Sequence, residues 1–320
     1  MEQNVLAVRA NSLTSRSLHL ILMPTEKCNF RCTYCYEDFK IGRMAPSVVN
    51  GIKTLIGRRV PSLTSIHIGW FGGEPTLAPD IVENINSAVL IDKPANLSFS
   101  SSMSTNGWLL NGSLLDRMLD AGITTFQISL DGDIEEHDRT RLQQNGTGSF
   151  DRIMHNLETA ALSDRSFRMS LRLHVHKDNL SSIGSLIDRL HRRFGEDKRF
   201  VIYAKRIDNM GDGVSINRLS LLDDQRAINH INRYIKDIGM FESDSKSMIC
   251  YAAQANSLVI RADGRIAKCT VAFQDQRNTV GSIDEMGELS IDHARFTPWI
   301  RGVLTGDMAA MACPLNGLPA

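Results

Sequence analysis

The 320-residue sequence has no apolar run of 18 or more residues, the length a membrane-crossing helix needs, and residues 1–17 hold no apolar core of signal-peptide length. The expected setting is therefore soluble and cytoplasmic. An excess of either charge is also missing. Lys+Arg and Asp+Glu each total 36, so the formal net charge is zero, and no basic block suggests a nucleic-acid or membrane partner. A small molecule or a peptide is the expected partner. Cysteine is sparse, with six residues in two groups: Cys28, Cys32 and Cys35 near the start, and Cys250, Cys269 and Cys313 near the end. In a reducing compartment such groups suggest two ligand sites rather than disulfides.

What remains is ample for a core. At 42% hydrophobic, the length suits one large α/β barrel, or a domain of about 240 residues with a small appendage. Residues 1–16 are mixed and polar and read as a tail. From Ser17 the chain alternates. Strands are expected at Ser17–Pro24, Ser65–Phe71, Leu97–Met103, Thr125–Leu130, Arg168–His176 and Arg199–Ala204. Helices are expected at 46–59, 79–90, 113–121, 149–162, 181–194 and 223–238. The first shows the logic: Pro46 opens it, apolar residues recur at 48, 49, 52, 55 and 56, and Arg58 and Arg59 close it. Six strand–helix units predict a parallel sheet with right-handed crossovers, either doubly wound or a barrel, uninterrupted by low-complexity linkers.

In such folds the working loops follow the carboxyl ends of the strands. After the first expected strand comes Cys28-Asn29-Phe30-Arg31-Cys32-Thr33-Tyr34-Cys35-Tyr36, a CxxxCxxC. Three thiolates this close favour zinc or an iron–sulfur cluster, because soft sulfur donors suit those metals. The local count stops at three ligands, so a [4Fe–4S] cluster held here keeps one iron open to a non-protein ligand. Gly72-Gly73-Glu74-Pro75 follows the second strand, Ser104-Thr105-Asn106-Gly107 the third, and Ser129-Leu130-Asp131-Gly132 the fourth. Each taken alone reads as an ordinary turn or capped loop.

Together these motifs resemble the radical S-adenosylmethionine (SAM) enzymes, and the resemblance covers nearly the whole chain. It implies an α/β fold, a partial (β/α)6 TIM-like barrel over residues 17–240, followed by a small SPASM/twitch-like α+β extension over 241–320. It implies a [4Fe–4S] cluster on Cys28, Cys32 and Cys35, with SAM chelating the open iron and cleaved to a 5′-deoxyadenosyl radical. Tyr34 is implied beside the adenine, Gly72, Gly73 and Glu74 at the methionyl amine, and Ser104 and Asn106 at the ribose. Ser129 and Arg141 are implied on the carboxylate, a natural task for an Arg fork. His174 and His176 alternate with apolar residues on the fifth strand and are given no role.

The end of the chain carries a second signal. Ala262-Asp263-Gly264-Arg265 reads as a hairpin turn that would bring Cys250 and Cys269 together. The spacing resembles the opening of SPASM or twitch domains, in which cysteines hold auxiliary iron–sulfur clusters. The full pattern goes on to a tight run of four cysteines, whereas here Cys313 stands with Asn316 where a second would fall, so the extension is incomplete or truncated. Cys250, Cys269 and Cys313 could hold an auxiliary cluster, bind zinc or stay unliganded.

Two branches of the family compete on the resemblance. Sulfatase maturases place an acidic residue after the cysteine of GxxxxC, where this chain has Thr270. That departure favours a maturase of ribosomally made peptides, forming a carbon–carbon or thioether crosslink, with an auxiliary cluster able to accept the departing electron. Its partners would be a peptide or protein substrate, an electron donor such as flavodoxin or ferredoxin, and, since no long N-terminal recognition domain is evident, the barrel mouth, the extension or a separate leader-peptide-binding protein. A zinc-binding structural or adaptor protein, and a barrel that binds SAM without cleaving it, are the readings from other classes.

Overall fold

The computed structural model describes residues 2–91, 93–208, 219–241 and 249–319. In chain order the elements are α1 (Glu2–Leu13), β1 (Ser17–Leu22), α2 (Pro46–Arg59), β2 (Ser65–Trp70), α3 (Pro79–Leu90), β3 (Ser98–Thr105), α4 (Gly112–Asp120) and β4 (Thr125–Leu130). There follow α5 (Ile134–Thr140), α6 (Phe150–Ala161), β5 (Arg168–Val175), α7 (Leu180–Phe194), β6 (Phe200–Arg206) and α8 (Arg226–Asp237). The last are β7 (Ser257–Ile260), β8 (Arg265–Ala267), β9 (Thr279–Ile283), β10 (Leu289–Ile291), α9 (His293–Thr305) and α10 (Met308–Ala312). No described helix is long and apolar enough to cross a membrane.

Two compact units emerge. The first gathers residues 1–27, 39–101 and 246–320, and the second residues 28–38 and 102–245. In the first, β1 lies between β2 and β7 and runs parallel to both, and β8, β9 and β10 continue from β7 as antiparallel neighbours. The beginning of β3 lies beside β2, with Ser98 N donating to Thr64 O at 3.0 Å. In the second unit, the end of β3, then β4, β5 and β6 pair in parallel. Neither run closes into a ring, and the fold class is α/β with an open sheet in which the β1 to β7 pairings are parallel and those of β8, β9 and β10 antiparallel.

The six expected strand–helix pairs are present with ends moved by a few residues, and the expected hairpin is β7–β8. Two readings change. Residues 2–13 are a helix rather than a tail, because they have partners: Arg9 Nε donates to Val303 O at 3.0 Å, Ala255 N donates to Ser12 O at 2.9 Å, and Val8 packs on Ile249, Ala253, Val303 and Met311. The units also differ from the expected division near residue 240, since residues beyond it pack with β1 rather than by themselves; the neighbouring residues 242–248 lie outside those described.

In the second unit, β4 and much of β5 alternate between a buried and a partly open face. Along β4 and β5, Phe126, Ile128, Leu130, Leu171 and Leu173 are buried, while Gln127, Ser129, Arg172 and His174 between them are partly open. Period-two alternation thus sets a polar row against a helix-covered core.

Candidate functional site

In the second unit the cysteine loop runs beside the end of α5 and the residues that follow it, joined by Arg31 N to Leu142 O at 2.8 Å and Thr33 N to Thr140 O at 2.9 Å. Cys35 N donates to Cys32 O at 3.1 Å, which turns the chain between those two cysteines. Phe30 N donates to Cys28 Sγ at 3.3 Å, and Asn106 Nδ2 lies 3.9 Å from the same sulfur and 2.8 Å from Asn29 Oδ1. Asn106, which the resemblance implies at the ribose, thus also hydrogen-bonds the cysteine loop.

Tyr34 is the loop's tether. Its hydroxyl donates to Asp131 Oδ2 at 2.6 Å, accepts from Arg141 Nη1 at 2.8 Å and lies 3.0 Å from His174 Nδ1. Asp131 also accepts from Thr140 Oγ1 at 2.8 Å, and Arg141 lies over the Phe30 ring. Burial alone would raise the Asp131 carboxyl, but Arg141, His174 and His137 hold it well below the usual carboxylate range. Burial lowers His174 to about 4, with the charge of Arg172 adding to the effect, and lowers His137 to about 4. Burial also lifts Tyr34 well above the usual phenol range, so it remains a donor.

Asp131 belongs to a motif the sequence singles out, yet its service to Tyr34 was missed, as were those of Thr140 and His174. The signal available was spacing. Thr140 and Arg141 end α5, a helix that propensity leaves unannounced because its seven residues include five charged or imidazole side chains.

The first unit holds the other motif. Phe71, Gly73 and Glu74 donate backbone N–H to Leu22 O, Thr25 O and Lys27 O at 2.9, 3.2 and 3.0 Å. A Cβ on Gly72 would stand 2.4 Å from Thr25 O, and one on Gly73 2.4 Å from Lys27 O. Gly72, at φ +116°, and Gly73 thus let two backbones run together. Glu74 is buried, its Oε1 accepting from Thr76 N at 3.0 Å and Thr76 Oγ1 at 2.6 Å. Glu26, which sequence reasoning passed over, is buried and holds Arg261 through Nε at 3.0 Å and Nη2 at 2.5 Å.

The late cysteines also lie in the first unit. Cys250 N donates to Met311 O at 2.8 Å, one helix end from Cys313, and Cys269 follows β8. Burial raises Cys250 and lifts Cys269 to about 11, and the charges of Cys250 and Cys313 act in the same direction on Cys269. Thr270 N donates to Tyr251 Oη at 2.9 Å. Among the described residues no three His, Cys, Asp or Glu side chains stand in a ready metal-ligand arrangement. The fit of a cluster rests on the donor chemistry: three partly exposed thiols on one short loop, two across a tight turn, beside backbone and amide N–H groups that stabilise sulfur charge.

Residues 22–190, more than half of the chain, match the family model described as the radical SAM superfamily. The chain belongs to the radical SAM superfamily. This superfamily uses a [4Fe–4S] cluster and SAM. Among curated relatives, the cysteine-type anaerobic sulfatase-maturating enzyme of Clostridium novyi (strain NT) is 29% identical over 206 residues, 62% of this chain and 53% of that protein. The PqqA peptide cyclase of Methylorubrum populi is 25% identical over 215 residues, 66% of this chain and 51% of that protein. The chain spans about half the length of the curated relatives it matches. The solved structure of native anSMEcpe with bound AdoMet and Cp18Cys peptide superposes with a TM-score of 0.66 at 18% identity, over 89% of this chain and 84% of that one. That likeness is one of fold.

Proposed function

We propose that this radical SAM chain is a maturase that modifies a ribosomally made peptide, by a carbon–carbon or thioether crosslink. Cys28, Cys32 and Cys35 would hold the [4Fe–4S] cluster. Tyr34, Gly72, Gly73, Glu74, Ser104, Asn106, Ser129 and Arg141 are the proposed SAM-binding set. When bound, the pair supplies a 5′-deoxyadenosyl radical by reductive cleavage of SAM. Cys250, Cys269 and Cys313 are proposed for an auxiliary cluster that would accept an electron as the crosslink closes. An electron donor such as flavodoxin or ferredoxin is the proposed redox partner.

The observation that carries this reading is the tether of the cysteine loop. Tyr34, between the last two cysteines, is bonded to both Asp131 of the SLDG motif and Arg141. That arrangement holds three thiols next to a fixed positive charge, which a purely zinc-structural knuckle does not require. Asn106 and the Phe30 N–H would direct donors at Cys28 Sγ. The names of the curated relatives, one a sulfatase-maturating enzyme and the other a peptide cyclase, support a protein or peptide substrate.

Formylglycine formation is the second reading, favoured by the sulfatase-maturating relative and opposed by Thr270 where an acidic base is expected. Product mass decides between them. Anaerobically reconstituted protein, SAM, dithionite and a pool of cysteine-containing peptides should yield a product lighter by two hydrogens with its sulfur retained. A sulfur-free aldehyde product would favour formylglycine, and a product of unchanged mass would point to epimerisation.

A further inference from the structure

Arg172 sits mid-way along the polar row of the second unit, its register partners Ser129 on β4 and Tyr203 on β6. Its neighbours along that row satisfy one another: Tyr203 Oη donates to Gln127 Oε1 at 2.6 Å, and Gln127 Nε2 donates to Ser104 Oγ at 3.4 Å. Arg172 has no hydrogen-bond acceptor or carboxylate among the described residues, and its Nε is buried. Ser129 likewise makes no hydrogen bond through its hydroxyl among them. Arg141, which keeps its place in the proposed SAM-binding set, donates to Tyr34 and lies 3.9 Å from Asp131, two contacts that Arg172 does not have.

A partly buried cation without an acceptor is costly, and the cost is recovered when an anion arrives. A guanidinium presents two parallel N–H donors, matched by the two oxygens of a carboxylate, and a serine hydroxyl beside it adds a third donor. The carboxylates available to such an enzyme belong to SAM and to an acidic residue of a peptide substrate.

We propose that Arg172, with Ser129, forms a carboxylate-binding site on this row. It rests on the reading of the chain as a SAM-dependent peptide maturase. The site would exclude an uncharged isostere, because an amide returns only one acceptor to the fork.

The test uses the reconstituted full chain as wild type, Arg172→Gln and Arg172→Lys. The probes are SAM, decarboxylated SAM, and the capped tripeptides acetyl-Ala-Glu-Ala-amide and acetyl-Ala-Gln-Ala-amide, with affinities read by calorimetry and saturation-transfer NMR. A loss of about tenfold or more in SAM affinity for Arg172→Gln, with decarboxylated SAM unaffected, identifies the cofactor's carboxylate. SAM affinity held within about twofold while the preference for the Glu peptide disappears identifies the substrate's. Arg172→Lys should recover part of either loss, since it restores charge but not the fork. Wild-type ligand affinities in Arg172→Gln overturn the proposal. Should that variant fail to fold, the wild type alone decides, and equal affinity within both probe pairs overturns it. Deoxyadenosine is measured on the same samples: its absence counts against the maturase reading, whereas its presence without carboxylate discrimination counts against Arg172 alone.

Discussion

Tyr34→Phe removes one oxygen from the centre of the cysteine-loop tether and leaves the ring in place. The hydroxyl donates to the Asp131 carboxylate at 2.6 Å and accepts from the Arg141 guanidinium at 2.8 Å. Hydrogen bonds to charged groups contribute about 1.5–3 kcal/mol each, so the gross loss is about 3–6 kcal/mol. Part of this is regained, because Thr140 Oγ1 still donates to Asp131 at 2.8 Å and Arg141, now 3.9 Å from it, can close the gap. A net destabilisation of about 2–4 kcal/mol follows. In a chain of 320 residues that corresponds to a Tm lowered by roughly 3–6 °C. Calorimetry on the reconstituted protein reads the Tm, and amide exchange at Thr33 and Cys35, whose N–H groups bond Thr140 O and Cys32 O, reads the loop. A shift under about 1 °C with unchanged exchange would refute the hydroxyl's role as the tether.

Gly73→Ala places a Cβ 2.4 Å from Lys27 O, which must move, so about 2–3 kcal/mol of stability should be lost, measured by urea unfolding. Glu26→Gln breaks a buried ion pair with Arg261 and should cost about 3 kcal/mol; a Tm unchanged from wild type would contradict that. His19, lowered to about 3, and His137 and His174, lowered to about 4, are neutral when folded and bind protons more readily when unfolded. Their stabilisation is complete above the ordinary histidine value and declines as pH falls from about 6.5 towards 4, by about 2 kcal/mol per group at about pH 5, so unfolding at pH 7.5 and 5 should differ by several kcal/mol. Replacing Cys250, Cys269 and Cys313 together with Ala should lower bound iron without abolishing it if they hold an auxiliary cluster; unchanged iron content would assign them no cluster.

Periodicity made the strand–helix alternation legible because each buried strand is a short apolar run and each helix carries its own punctuation, as Pro46 and Arg59 bracket α2. The same local signals fail for α1, whose helix depends on contacts with Val303 and Ala255 about 250 or more residues away. At α9 the local signals conflict: Asp292 caps its start and Gly306, in the left-handed conformation, ends it, while Pro298 lies inside it. The cysteines and Tyr34 could be read from their spacing. What each side chain touches could not: Arg141 follows a charged helix and Arg172 alternates with buried leucines on β5, and only the fold gives the first to Tyr34 and leaves the second without an acceptor among the described residues.

Cys28, Cys32 and Cys35 are proposed to carry the cluster at which SAM is cleaved. The direct test of that assignment is 5′-deoxyadenosine formation by anaerobically purified, reconstituted protein with SAM and dithionite, run beside Cys32→Ala. Deoxyadenosine is expected from the wild type and none from the variant. A wild-type sample that binds zinc in place of iron, or a Cys32→Ala sample that cleaves SAM as well as the wild type, would contradict the assignment.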